Sequence, residues 1–316
     1  MTSARLFPFG LALALVTGGC AGQVSGSSDD VLAEFPSIVP TRAPDGVRQT
    51  EWDAESVDDE TRSTHLWIVN RALDLLAARG EPQAAAAVAL LGASDCRPSW
   101  HQGLADADFK AAYDGGFFDV PVGASTTELV LSGATWASHF YDPDTGLNYK
   151  GQKTPTAYDQ GLAHLGNARA ALANGNRANG CYELGLSLHY FTDITQPMHS
   201  SNYTAKDWPL ELHSNFESYA MSQQARFATS SWAGPTSGDA SAQLLAAAHA
   251  SKPRWPTLKT AIANAYAARG CGRFSSYWTD HTSCWEGDTT VDAAMGADLV
   301  AAEQATASYL FAINLP

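Results

Sequence analysis

Residues 63–79, STHLWIVNRALDLLAAR, place Leu66, Val69, Leu73 and Leu76 on one stripe of a helix, and Gly80 supplies the stop. This texture, with few β-branched runs, recurs along the chain and favours helices over strands. Residues 82–92 are alanine-rich. TAYD at 156–159 has the form of a capping box, and Gly175 ends the helix it opens. Residues 181–195 set Leu184, Leu188 and Phe191 at helical spacing, and further helices are expected near 215–228, 239–251, 257–269 and 290–312. Between Ser94 and Pro155, Gly, Asp and aromatic residues interrupt any long period. That region reads as mostly loop with short helices, and a long irregular stretch inside a domain is usually functional. The expectation is an all-α fold: a single compact multi-helix domain from about residue 52 to the end.

The N-terminus is different. Arg5 precedes the apolar stretch FPFGLALALVTGG, which is too short to span a bilayer and reads as an export signal over residues 1–20. Cleavage and secretion are the first expectation, with lipid anchoring through Cys20 the alternative. Residues 21–51 are rich in Ser, Asp, Pro and Gly and read as a removable pro-segment or linker. Four of the five cysteines lie beyond the leader, an even number that in an exported chain suggests two disulfides. Cys271 with Cys284 would close a short loop, leaving Cys96 with Cys181; buried free thiols are the alternative. A net charge of −14 gives a nucleic acid or anionic lipid no basic surface to bind. It leaves metal ions open.

The chemistry is concentrated in LHYFTDITQPMHSSN, residues 188–202. His189 and Asp193 are one helical turn apart and face the same way. Pro197 ends that helix, so His199 is free to point at a neighbouring site. HSNFES repeats the pattern with His213 and Glu217. Histidine nitrogens and carboxylate oxygens are zinc ligands, and a separation of four residues lets two of them reach one ion. A lone pair of this kind is usually a surface feature. Two pairs within 30 residues, with His199 between them, point to metal. His65 and His139 lie upstream. His101, His164, His249 and His281 have no such company and are assigned surface or core roles. Asp142 and Asp144 in DPDTG resemble a fragment of a calcium loop, but its final glutamate is out of register, so a turn with exposed carboxylates is expected.

SHFYDPD (138–144), LGLSLHYFTDITQPMHSSNYT (184–204) and HSNFESY (213–219), with WDAE at 52–55 ahead of HLWIVNRALD, resemble the bacterial zinc-dependent phospholipase C family. The resemblance covers nearly all of the chain from Trp52 onward, and implies an all-helical fold with three zinc ions. Asp108, His139, His189 and Asp193 would hold one ion, and His199, His213 and Glu217 a second. The third would take the free amine and carbonyl of Trp52, with His65 and a bridging Asp193. Asp108, followed by Phe109, fits the upstream aspartate best and would orient or deprotonate the attacking water. An insertion that includes DVPVGASTTELV makes Asp114 the alternative. Glu55, Phe109 and Trp136 match the positions that surround a choline head group.

The implied activity is hydrolysis of phosphatidylcholine-like lipids at the glycerol-side phosphodiester, at a membrane surface, by a monomer that binds no nucleic acid. The alternative is the related trinuclear-zinc single-strand nuclease. That family also begins with tryptophan and shares a D-x-x-Q-P-x-H core, but ends its second pair as His-x-x-Trp-Asp, where this chain has His213-Ser-Asn-Phe-Glu217.

Overall fold

The computed structural model describes residues 56–113, 116–119, 136–235, 238–274 and 279–314, all within one compact unit, 40–316. Trp52, Glu55, Asp114, Cys20 and the expected leader and pro-segment lie outside the described residues. Nine α-helices are described: α1 Thr64–Ala77, α2 Pro82–Gly92, α3 Arg97–Phe109, α4 Ala157–Ala173, α5 Arg177–Thr195, α6 Leu212–Gln223, α7 Ala240–Ser251, α8 Arg254–Ala268 and α9 Thr289–Ala312. The all-α expectation holds, with one addition. Strands β1 Lys110–Tyr113 and β2 Gly116–Asp119 pair antiparallel, Lys110 opposite Asp119 and Tyr113 opposite Gly116. No helix among the described residues is long and apolar enough to cross a membrane.

Local chemistry sets the helix ends. Ser63 accepts from the Leu66 amide at the start of α1, and Asp239 and Asp288 cap α7 and α9 in the same way. Thr156 and Asp159 form the capping box expected for α4. That helix closes against Gly175, whose φ of 77° suits a residue without a Cβ.

Helix α5 is the axis of the molecule: every residue from Leu184 to Thr195 is buried. Helices α3 and α4 pack along it. The α3–α5 approach is close because it is made by glycines. A Cβ at Gly185 would lie 2.1 Å from the Trp100 carbonyl oxygen, and one at Gly103 would lie 2.1 Å from that of Tyr182. The Cys96–Cys181 disulfide fastens the same pair of helices, and Cys271–Cys284 closes a local loop. For sequence separations of 85 and 13 residues, chain entropy assigns these crosslinks about 4.5 and 3 kcal/mol respectively.

Apolar side chains bury themselves in two clusters. One gathers Leu76, Leu91, Trp100, Phe191 and Tyr309; the other gathers Trp255, Phe216, Tyr266, Trp285 and Leu299.

Candidate metal centre

His189 and Asp193 project from the last two turns of α5, both wholly buried. Asp108 comes from the end of α3 and His139 from a single 3-10 turn, residues 137–139. Their ligand atoms converge. Asp108 Oδ1 lies 3.3 Å from His189 Nε2 and 3.6 Å from His139 Nδ1. Asp193 Oδ2 lies 2.9 Å from His139 Nδ1 and 3.3 Å from His189 Nε2, and the two imidazole nitrogens are 3.1 Å apart. A tetrahedral zinc with ligands at 2.0–2.1 Å requires edges of about 3.3 Å. The five edges lie near that value, so the ligand atoms of His139, His189 and Asp193, with Asp108 beside His189, suit zinc.

The second group adjoins the first. Beyond Thr195 the helix ends, Pro197 follows, and His199 opens a separate 3-10 turn. Its Nε2 lies 3.2 Å from Glu217 Oε1, and His213 Nε2 lies 2.9 Å from the same oxygen. All three residues are buried. Asp193 faces two ways: while Oδ2 meets the first group, Oδ1 lies 3.7 Å from His65 Nε2 on α1. The His65 ring also stacks on His189, with centroids 3.9 Å apart, and its ligand atom falls within reach of those of Asp108 and His189.

The histidine tautomers are set from behind. Nδ1 of His189 donates to the Leu104 carbonyl at 2.7 Å, Nδ1 of His213 to Tyr203 at 2.6 Å, and Nδ1 of His199 to His139 at 2.9 Å. A carbonyl only accepts, so in each neutral ring Nε2 carries a lone pair directed into the cluster. His65 Nδ1 donates to Thr192 Oγ1 at 2.5 Å, since that hydroxyl already donates to the carbonyls of Leu188 and His189. Several inward-facing atoms are buried with no hydrogen-bond partner: His65 Nε2, Asp108 Oδ1, Asp193 Oδ1 and Glu217 Oε2. An orphaned buried donor or acceptor costs about 1–3 kcal/mol, and metal ligation removes that cost.

The electrostatics agree. Burial disfavours a proton on His189, but the Asp108 and Asp193 carboxylates outweigh it and raise the group to about 10. Burial likewise opposes charge on His199, which Asp193 and Glu217 nevertheless push up. Asp193 is held well below the usual carboxylate range because His189, His139 and His199 outweigh its burial; His213 and His199 do the same for Glu217. His65 is pushed far down, first by burial and then by the charge of His189. These interactions keep Asp193 and Glu217 charged, and a bound metal would compete with protons at His189 and His199.

The backbone is bent to serve these positions. Three non-glycine residues adopt the left-handed conformation beside ligand-bearing turns: Trp136 (φ 50°) before His139, Asn202 (φ 53°) after His199, and Glu211 (φ 69°) before His213. For Trp and Glu this costs of order 1 kcal/mol or more each, and such strain gathers where geometry is functional.

The remaining expected residues are distributed as follows. Asp106 accepts from Tyr182 and Gln102 and pairs with Lys110, so it is occupied structurally. Phe109 is 1% exposed, within the protein rather than on an open wall. Trp136 is half-buried, its Nε1 without a partner. His101 bonds Asp58 and Arg97, His164 bonds Glu183, and His249 and His281 are exposed. In the DPDTG turn, the Lys252 ammonium sits 2.5 Å from Asp142 and 2.7 Å from Asp144, filling with a side chain the place a calcium ion would need.

Sequence reasoning missed Gln196. Its Nε2 donates to Glu217 Oε1 at 3.1 Å, while its Oε1 accepts from the backbone amides of Met198 and His199. One side chain thereby ties the His199 turn to Glu217. The glutamine is visible in the quoted motif, but its partner is 21 residues away.

No family model matches the chain. Among characterised proteins it is 30% identical over 198 residues to a phospholipase C of Bacillus cereus, covering 61% of this chain and 63% of that protein. It is also 30% identical over 168 residues to a phospholipase C of Listeria monocytogenes, covering 53% and 51%. The chain thus spans about three fifths of the length of the Bacillus relatives it matches. Among solved structures, the alpha toxin from Clostridium absonum superposes with a TM-score of 0.55 at 20% identity, over 81% of this chain and 64% of the toxin chain, which shows a shared fold. The chain resembles the bacterial phospholipases C.

Proposed function

We propose that this chain is an exported zinc-dependent phospholipase C that hydrolyses the glycerol-side phosphodiester of phosphatidylcholine-like lipids to diacylglycerol and a phosphorylated head group. The observation that carries the proposal is the buried cluster in which His139, His189 and Asp193, with Asp108 beside His189, adjoin His199, His213 and Glu217 at separations that suit zinc ligands. Each group would hold one ion. A third would be held by His65, Asp193 and the amine and carbonyl of Trp52, once the leader and residues 21–51 are removed. Bound zinc ions supply an acidified water and positive charge for the phosphate oxygens.

The chain's own residues do the rest. Asp108, whose Oδ1 faces His139 and His189, orients or deprotonates the attacking water. Asp193 keeps His65 and the His139–His189 pair in one register through its two oxygens. Glu55 and Trp136 receive the quaternary ammonium, the carboxylate by charge and the indole by its face. The enzyme acts as a secreted monomer, and its net charge of −14 gives a polynucleotide no steering.

The test is product identification. Zinc-loaded protein beginning at Trp52 is incubated with phosphatidylcholine vesicles, and separately with single-stranded DNA, and products are read by phosphorus NMR. Phosphocholine from the lipid, absent with His189→Ala, is expected. Cleaved DNA with intact lipid, or phosphatidic acid as the lipid product, would overturn the proposal.

A further inference from the structure

We infer that Asp280, outside the ligand set, is a positioning residue for the His213–Glu217 pair, gripping helix α6 from behind through Asn215. This inference rests on the metal-centre reading above.

Helix α6 needs such a grip. It carries two ligands of the second group, yet its N-cap is Glu211, a left-handed residue with no capping side-chain bond. His213 sits in the first turn, where an α-helix frays most readily, and the Tyr203 carbonyl holds its ring but not the helix. At about 100° per residue, His213 and Glu217 share one face, and Asn215 points about 180° away from their mean direction. The ligands therefore face the metal, and Asn215 faces the second apolar cluster.

Asp280 waits there. Asn215 Nδ2 donates to its Oδ2 at 3.0 Å, Tyr266 donates its hydroxyl to Oδ1 at 2.5 Å, and Trp285 Nε1 lies 3.0 Å from both oxygens. Three donors from three elements thus fix the carboxylate. Tyr266, on α8, and Trp285 are fully buried. The Asp280 backbone adds a second hold: its amide donates to the Leu210 carbonyl at 2.8 Å, and Thr279 bridges Leu210, two residues before α6 begins. The Cys271–Cys284 disulfide joins the chain just after α8 to the turn that precedes Trp285. A carboxylate beside the first turn of a helix also complements its dipole. The rotation of α6, and with it the approach of His213 and Glu217 to His199, is thereby referred to a rigid, crosslinked part of the core.

The test is metal retention. Zinc-loaded wild type, Asp280→Asn, Asn215→Ala and Leu244→Ala are dialysed against graded chelator, and zinc per chain is measured by mass spectrometry alongside Tm. Leu244 is a buried leucine of the other apolar cluster and supplies a stability control. Asp280→Asn and Asn215→Ala should release one equivalent at about tenfold lower chelator than wild type, the range typical of residues that orient metal ligands. Leu244→Ala should release at the wild-type concentration despite a lower Tm. Adding Asn215→Ala to Glu217→Ala should remove no further zinc, because both act on one site. Release from Asp280→Asn and Asn215→Ala at the wild-type concentration, or from Leu244→Ala in equal measure, would overturn the role of Asp280. If Asp280→Asn does not fold, Asn215→Ala decides, since it leaves Asp280 bonded to Tyr266 and Trp285. A wild type that loads no zinc would overturn the metal centre itself and this inference with it.

Discussion

Gly185→Ala tests whether the site depends on the close approach of α3 and α5. The new Cβ would lie 2.1 Å from the Trp100 carbonyl oxygen and 2.9 Å from the Leu104 amide nitrogen, where 3.0 Å is the practical floor. Both neighbours are backbone, so no side chain can rotate away, and α3 must retreat by about 1 Å. Overpacking of this kind costs about 1–3 kcal/mol, and a backbone clash belongs at the upper end. For a chain of this size that lowers Tm by about 5 °C or more. The same retreat carries Asp108 away from His189 and His139, now 3.3 and 3.6 Å distant. It also stretches the 2.7 Å bond from His189 to Leu104. Zinc tolerates errors of about 0.2 Å in ligand distance, so the first group should lose affinity by about tenfold or more. Gly166→Ala is the control: it lies on an exposed part of α4 with nothing within 4 Å, and should stabilise by about 0.5–1 kcal/mol. The measurements are thermal melts by circular dichroism with and without zinc. A Gly185→Ala protein with wild-type Tm and a full zinc-induced rise would refute the reasoning.

Other expectations concern individual groups. His213→Ala or Glu217→Ala should each bind one zinc fewer than wild type while keeping the helical circular dichroism signal; unchanged stoichiometry in both would remove them from the ligand set. A protein beginning at Trp52 should hold one more zinc, and hydrolyse lipid faster, than one that keeps residues 40–51, because only in the former is the nitrogen of Trp52 a free α-amine rather than an amide. Equal zinc and equal rates, with the longer form intact by mass spectrometry, would exclude the amine. Burial raises Glu303 to about 7, above its value in the unfolded chain, so its stabilising effect is present at low pH and is lost as pH rises through 7. Glu303→Gln should therefore raise Tm more at pH 8 than at pH 5, and an equal change at both would contradict this.

The parts of the fold legible in the sequence are those with one wet face. Helix α1 was readable because Leu66, Val69 and Leu76 fall on one stripe and its second half leaves Asp74 and Ala77 exposed, and α4 because Thr156 and Asp159 announce its start. Helix α3 lies in the region expected to be mostly loop with short helices, and sequence alone does not mark its extent. Its last seven residues, Gly103–Phe109, are all buried, polar ones included, so no hydrophobic period survives. The hairpin at 110–119 lay in the same region. In the site, spacing revealed His189 with Asp193 and His213 with Glu217, because ligands on one helix keep a fixed offset. Gln196 and Asp280 act across 21 and 65 residues respectively, and only the folded chain brings them to their partners.

Diffraction data collected on either side of the zinc absorption edge test directly whether these buried side chains hold zinc. The account predicts anomalous peaks among Asp108, His139, His189 and Asp193, among His199, His213 and Glu217, and beside His65 and Asp193. Zinc bound only elsewhere on the protein, with these histidines and carboxylates bonded to one another alone, would contradict it.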